Sequence, residues 1–244
     1  MVRALLAGTK TQTRRIIKPQ PPADIVRHCW YDAPLYGFTR DHDVSSEWHI
    51  ARLLAYKGDR LWVRETVIGE ELTDGTDGVR YVADDEFITI ANSVGSAVQW
   101  LYLHTYASPN GTTRLRGKQV PSIHMPKWAS RLTLTVTDVR VERLQDISEA
   151  DALAEGVPTD EDYAGSFEKE YCQHCGGSGL HGAFGEGYGV TEVDCAQCET
   201  AKLRYRNLWD HINGVDAWVD NPWVAAYTFT VHRGNIDQIS KVAA

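Results

Sequence analysis

Two cysteine pairs, Cys172-Gln173-His174-Cys175 and Cys195-Ala196-Gln197-Cys198, constrain this chain more than any other feature. Each pair can present two thiolates from one tight turn, and two such turns complete a tetrahedral metal shell. The nineteen residues between the pairs fall within the spacing of structural zinc sites. With sulfur in all four positions no place is left for water, so zinc is expected to serve folding, not chemistry. The intervening stretch carries Gly176, Gly177, Gly179, Gly182, Gly185, Gly187 and Gly189 and few residues able to build a core. It buries too little apolar surface to order itself, and a metal clip supplies the missing constraint. His174 and His181 are the substitute ligands. A disulfide reading fits poorly, because the opening residues Met1 to Gly8 hold too short an apolar stretch for a secretion signal. Cys29 stands alone and is expected as a small buried hydrophobe.

The rest of the chain reads as globular and intracellular, with the cytoplasm as the expected location. An apolar fraction of 43% provides for a core, and no run of about eighteen apolar residues exists to span a bilayer. The net charge of −8 argues against indiscriminate binding of duplex nucleic acid, which depends on phosphate neutralisation. It leaves room for recognition of one base or one strand in a local basic cleft. Lys10, Arg14, Arg15 and Lys18 form one basic group, and Arg114, Arg116, Lys118, Lys127 and Arg131 a second. Each group is either a solvated face or part of such a cleft.

Local patterns predict a helix over 2–8 stopped by Gly8, and a strand over 10–17 ended by Pro19. Further strands are expected over 61–66, in two pieces of 79–90 around an acidic turn, and over 132–141 with an apparent shift of register after Val136. A helix over 146–157 has Ser148 as its N-cap and Gly156 at its C-terminal turn. A second helix near 199–212 offers Leu203, Leu208, Trp209 and Ile212 for burial, and a final strand runs from Trp223 to Val231. The regions 23–57 and 91–119 give no clean period. Many short strands with a few helices indicate an α+β fold built on a small mixed barrel.

Leu6-Ala7-Gly8-Thr9-Lys10-Thr11-Gln12-Thr13-Arg14-Arg15 resembles the signature of ASCH domains, a branch of the PUA-like β-barrel proteins. Gly58-Asp59-Arg60-Leu61-Trp62-Val63 is similar to the family's Gly-Asp turn and following strand. Ser148 to Gly156 resembles the helix that closes the pocket and supplies a glutamate, and Trp223 to Phe229 resembles the last barrel strand. The order of these pieces, with Trp62 to Glu65 and Pro121 to Pro126, is similar to a phage- and prophage-associated subgroup. Cys172-x-x-Cys175-x-Gly177-x-Gly179 is also similar to one half of a DnaJ-type zinc knuckle, a likeness confined to the insert. The ASCH resemblance implies a PUA-like barrel in 1–171 and 199–233; the cysteine pairs mark a zinc insert at 172–198, and the residues from 234 to 244 read as a loosely held tail.

It also implies a site. Some ASCH proteins hydrolyse the amide of N4-acetylcytidine with a lysine, a threonine and a glutamate, which by motif are Lys10, Thr13 and Glu155 here. Amide hydrolysis needs a nucleophile, a base and an acid for the leaving amine. Thr13 offers a hydroxyl, Lys10 is a base if burial or Arg15 depresses its pKa, and Glu155 can position the base edge and protonate the departing nitrogen. On an extended segment Lys10 and Thr13 face opposite ways, so the mechanism requires a bulge or turn between them. Arg14, Arg15, Arg64, Glu65, Lys127 and Trp128 are the candidate contacts to a nucleobase or single strand, with Arg64 and Glu65 alternatively paired to each other. Two rival readings stand beside the hydrolase: a non-catalytic RNA- or DNA-binding module, and a phage protein that binds a host protein through the zinc insert.

Overall fold

The computed structural model describes residues 1–25, 27–32, 34–40, 48–90, 93–105, 116–158, 172, 174–175, 180–184 and 190–239. They sort into two compact units: residues 1, 3–57 and 137–229 form the first, and residues 2, 58–136 and those from 230 onward the second. The glycines at 176, 177, 179, 185, 187 and 189, Arg114, the loop at 108–111 and the tail from 240 lie outside the described residues.

In the first unit, α1 (Val2–Ala7) ends at Gly8, whose left-handed φ of 76° turns the chain as expected. Strand β1 (Gln12–Ile16) then pairs antiparallel with β13 (Trp223–Arg233), Gln12 opposite Thr228 and Ile16 opposite Val224. The aromatic-rich region that showed no period forms a meander of β2 (Arg27–Asp32), β3 (Leu35–Thr39) and β4 (His49–Arg52). Its Phe38 ring packs edge-on against Trp223 at 5.4 Å, and the Leu54 N–H donates to the Tyr227 hydroxyl. Cys29 lies in β2 half-buried, not buried as expected. Helix α3 (Glu149–Ala154) starts where Ser148 accepts the Asp151 N–H, and Gly156 follows it with φ 84°. Helix α4 (Ala201–Asn213), capped by Thr200, packs Tyr205, Leu208 and Trp209 against Leu144, Ile147, Ala152 and Val224. Within the expected insert, β11 (Leu180–Phe184) and β12 (Val190–Asp194) form a hairpin.

In the second unit, β5 (Arg60–Trp62) pairs with the first half of β10 (Leu132–Arg143), Trp62 opposite Thr133. The strand expected over 61–66 is thus shorter, and the chain resumes extended pairing only at β6 (Val67–Glu71). A sheet in the order β8 (Phe87–Thr89), β7 (Asp77–Tyr81), β6 and β9 (Arg116–Val120) is covered by α2 (Val94–Thr105), whose Trp100 and Leu103 join Val67, Val79 and Val120. Arg131 is the polar centre of this unit. Its guanidinium grips both oxygens of buried Glu65 at 3.0 and 2.7 Å, reaches Asp84 and Glu86, and lies 3.7 Å over the Tyr81 ring. Burial opposes the charge of Arg131, but Glu65 and Asp84 outweigh it and hold the Arg131 pKa above its ordinary value. In the described part of the expected tail, the Gly234 N–H donates to the Arg131 carbonyl, and the Asn235 amide donates to the carbonyls of Lys127, Trp128 and Ser130.

The α+β class is as expected, but among the described residues no sheet closes into a barrel. The strands divide among separate antiparallel sheets because 27–52 and 67–120 each pair locally. β10 shows the anticipated register shift: Leu132, Leu134 and Val136 are buried, Thr137 and Asp138 are both exposed, and burial resumes at Val139 and Val141. No described helix is long and apolar enough to cross a membrane.

Gly8 and Gly156, two of the glycines with positive φ, differ in what surrounds them. A Cβ at Gly8 would meet nothing within 4 Å, whereas one at Gly156 would sit 2.9 Å from the Lys10 Cβ and 3.0 Å from the Ala4 Cβ. Gly8→Ala is therefore expected to cost only the left-handed backbone penalty, about 1–2 kcal/mol. Gly156→Ala adds overpacking and is expected to cost about 2–5 kcal/mol, measured by urea unfolding. Equal costs would show that Lys10 is not packed against this turn.

Candidate active site and metal cluster

Lys10 is placed by backbone hydrogen bonds on both sides of it. Its own N–H and that of Thr9 donate to the Ala4 carbonyl, and the Thr11 N–H donates to Ala154 at 2.8 Å, clipping the approach to β1 onto α3. The Lys10 side chain, 4% exposed, therefore points at Glu155, the residue capping α3 and itself 2% exposed. Its ammonium donates to the Glu155 carbonyl at 2.7 Å and to Oε2 at 2.9 Å. Burial pushes the Lys10 pKa below its usual value; Glu155 opposes the shift, and the nearby charges of Arg15 and Arg14 add to it.

Arg14 takes the other oxygen of Glu155. Its NH1 lies 3.2 Å from Glu155 Oε1, its Nε and NH2 donate to Glu142 Oε1 at 3.1 and 2.7 Å, and its NH2 lies 3.4 Å from Asp151 Oδ2. Gln12 completes the arrangement by accepting from Arg14 NH1 and donating to Asp151 and Thr228. Asp151 also accepts from Ser148 and from Arg140. Its pKa is lowered: burial opposes the shift, and the hydrogen bonds from Ser148, Arg140 and Gln12 outweigh it.

Lys10, Gln12 and Arg14 thus converge on one face of the β1 segment. Alternation along the strand puts Thr13 on the other face. Its hydroxyl is buried with no hydrogen-bond partner among the described residues. The regular strand begins only at Gln12, after the turn at Gly8, so Lys10 reaches Glu155 without a bulge.

Glu155 and Arg14 also line a cavity of about 370 Å³, with Arg15, Ile16 and Lys18 from β1 and its end, and Tyr205, Leu208, Trp209 and Ile212 from α4. That volume lies in the small-ligand range of about 300–1,000 Å³. Among the described residues, no strand pairs with β1 on the side away from β13. The Phe229 N–H donates to the Thr11 carbonyl and the Ile17 N–H donates to the Trp223 carbonyl. In an antiparallel ladder this turns the peptide groups of Thr13 and Arg15 towards β13 and those of Gln12, Arg14 and Ile16 away from it. The Arg14 carbonyl on that edge accepts from Arg15 NH1 at 2.9 Å. The N–H and C=O of Ile16 have no partner among the described residues.

The remaining candidates fall in the second unit and do not line this cavity. Glu65 pairs with Arg131 and not with Arg64, which is exposed and stacks over the Trp62 ring at 4.8 Å. Lys127 is exposed and paired to Asp237, and Trp128 is half-buried against the core of its own unit. Tyr205, Gln12, Glu142 and Arg140 belong to the site and were not anticipated. Only the alternation Val139-Arg140-Val141-Glu142 hinted that two charges share a face there.

The four cysteines are placed to bind a metal ion: all four sulfurs lie within 4.8 Å of one another. The Cys172–Cys195 and Cys175–Cys198 separations are 3.9 and 3.8 Å. A tetrahedron with metal–sulfur bonds of about 2.3 Å has edges of about 3.8 Å, so the spacing fits one closed shell. His174, a substitute ligand by sequence, is not part of this cluster. The cluster is fastened to α4, because buried Arg204 donates to the carbonyls of Cys198, Glu199 and Pro158 and Asn207 to that of Gln197.

No family model, no curated protein and no solved structure matches the chain.

Purified protein is expected to hold one metal ion per chain, lost in Cys172→Ser or Cys195→Ser variants together with several degrees of thermal stability. Elemental analysis and melting curves check both. Metal retained by both variants would assign the ion to other ligands.

Proposed function

We propose that the cavity of the first unit binds a cytosine-type base and that the Lys10–Glu155 pair hydrolyses an amide on its N4. The observation that carries this reading is a buried lysine, its pKa depressed, 2.9 Å from a carboxylate that lines the cavity. Buried acid–base pairs with displaced pKa values cluster at catalytic sites. The order of the ASCH-like motifs supports the same reading, as does the open peptide edge at Ile16. An extended residue with its N–H and C=O side by side complements the neighbouring acceptor and donor of a cytosine's pairing edge. Tyr205 and Trp209 supply aromatic wall.

In this reading water is the nucleophile, since Thr13 lies on the opposite face of β1. The uncharged Lys10, acting through Glu155, takes a proton as water adds to the acyl carbon. The C–N4 bond then breaks, the same proton passes to N4, and the products are a carboxylic acid and the free exocyclic amine. Arg14 holds the Glu155 carboxylate in position throughout. The four-cysteine metal is read as zinc, closed to substrate and structural. The PUA-like family is the fold assignment that accompanies this function.

Wild-type protein is expected to convert N4-acetylcytidine to cytidine, with kcat/KM rising with pH through the depressed Lys10 pKa as the amine loses its proton. Lys10→Met and Glu155→Gln are expected to lose at least roughly 10²-fold while keeping the wild-type circular dichroism spectrum. In Arg15→Gln the rising limb is expected to move to higher pH, because a charge that disfavours the ammonium has been removed. A pH-independent rate, or full activity in Lys10→Met, would remove Lys10 from the chemistry. Absence of turnover in the wild type would leave base binding without hydrolysis.

A further inference from the structure

We infer that the cavity carries a phosphate subsite formed by Arg15 and Lys18, so that its ligand is a pyrimidine nucleotide and not the bare nucleoside. The inference rests on the reading of the cavity as a nucleobase site and names the form in which the base arrives.

The support is a charge balance. The network contains three cations, Lys10 and Arg14, which are buried, and Arg140, which is exposed, with three carboxylates, Glu142, Asp151 and Glu155. Each cation has a carboxylate within 2.9 Å: Lys10 has Glu155 at 2.9 Å, Arg14 has Glu142 at 2.7 Å, and Arg140 has Asp151 at 2.8 Å. Charge within this network is therefore matched. Arg15 and Lys18 line the same cavity, are exposed, and form no ion pair among the described residues. In a chain of net charge −8, two unmatched cations at one cavity supply what the network beneath them does not, an attraction for an anion.

Arg15 is also partly oriented in advance. One of its N–H groups is held by the Arg14 carbonyl, leaving the rest of the guanidinium fork without partners among the described residues. A fork fixed at one corner loses less freedom when it takes a phosphate, and a lysine beside it adds a mobile point charge. The rest of the lining suits the remainder of a nucleotide. Leu208, Trp209 and Ile212 offer apolar wall, and the Ile16 peptide offers a donor and an acceptor. Phosphate at this place has two possible sources, a mononucleotide or the backbone of a single strand. A cavity of about 370 Å³ is the size of a small-molecule site, which favours the mononucleotide.

The test is calorimetric titration of metal-loaded, full-length protein with N4-acetylcytidine, its 5′-monophosphate, ribose 5-phosphate and a short single-stranded oligocytidylate. The monophosphate is expected to bind roughly tenfold or more tighter than the nucleoside at low salt. In the Arg15→Gln/Lys18→Gln double variant the two affinities are expected to fall within about threefold of each other, the advantage having come from charge-assisted contacts. Equal affinities in the wild type, or a preference that survives in the double variant, would overturn the subsite while leaving base binding intact. Binding of ribose 5-phosphate as tightly as the full nucleotide would overturn the nucleobase reading and keep the anion site. Binding of the oligonucleotide alone would overturn the mononucleotide assignment in favour of a strand.

Discussion

The first unit is arranged around a fully buried arginine side chain. The Arg14 side chain has no exposed surface, and leaving its charge unpaired there would cost several kcal/mol. Glu142 from β10, Asp151 from α3 and Glu155 just beyond α3 meet it from different parts of the chain. That requirement fixes the register of β1 against β13, because a slip of one residue would turn Arg14 to the opposite face and put Thr13 among the carboxylates. Lys10 inherits its position from the same constraint. Once Glu155 is held by Arg14, its second oxygen and its carbonyl are where the lysine must go.

The second unit solves a similar problem in a similar way. Arg131 is likewise surrounded by carboxylates, and its guanidinium lies 3.7 Å from the centre of the Tyr81 ring, closer than the 6.0 Å between Arg14 and Tyr205. Its partners Asp84 and Glu86 sit in the acidic turn between β7 and β8, and Asp84 has a lowered pKa: burial opposes the shift, and the hydrogen bonds and charge of Arg131 are among the causes that outweigh it. This arginine stabilises a turn, whereas Arg14 organises a wall of the cavity. In the metal region Arg204 does comparable work on uncharged groups, tying the last cysteine turn to the chain before the insert.

What could be read in advance follows from the range over which each signal acts. Caps and turns are local, so Gly8, Ser148 and Gly156 were legible from their neighbours alone. The four cysteines were legible because thiolates have few other reasons to recur at that spacing. The meander over 27–52 was not, since its aromatics pack on Trp223 and its pattern has meaning only beside that residue. Lys10 and Glu155 were singled out only by an ordered resemblance, since no local signal puts residues 145 positions apart in contact. The rest of the network was hidden for a physical reason. Arg140 and Glu142 look like the solvated face of an amphipathic strand, and nothing local distinguishes a polar face turned to water from one turned to a buried guanidinium. Glu65 misled in the reverse sense: its neighbour Arg64 suggested a pair, but the buried partner was 66 residues away.

The pairing of β1 with β13 joins residues 216 positions apart. During synthesis at about 5–20 residues per second, the first strand therefore waits on the order of ten to forty seconds for its partner to be made. For that interval Lys10 and Arg14 are ordinary hydrated cations on an unpaired segment, and the carboxylates that later neutralise them arrive before the strand that aligns them. The second unit has most of its pairs within 58–136 and can complete its sheet while the first still lacks an edge. The strand that aligns Lys10 with Glu155 is thus among the later elements of this sequence to be made, well after both residues of the pair.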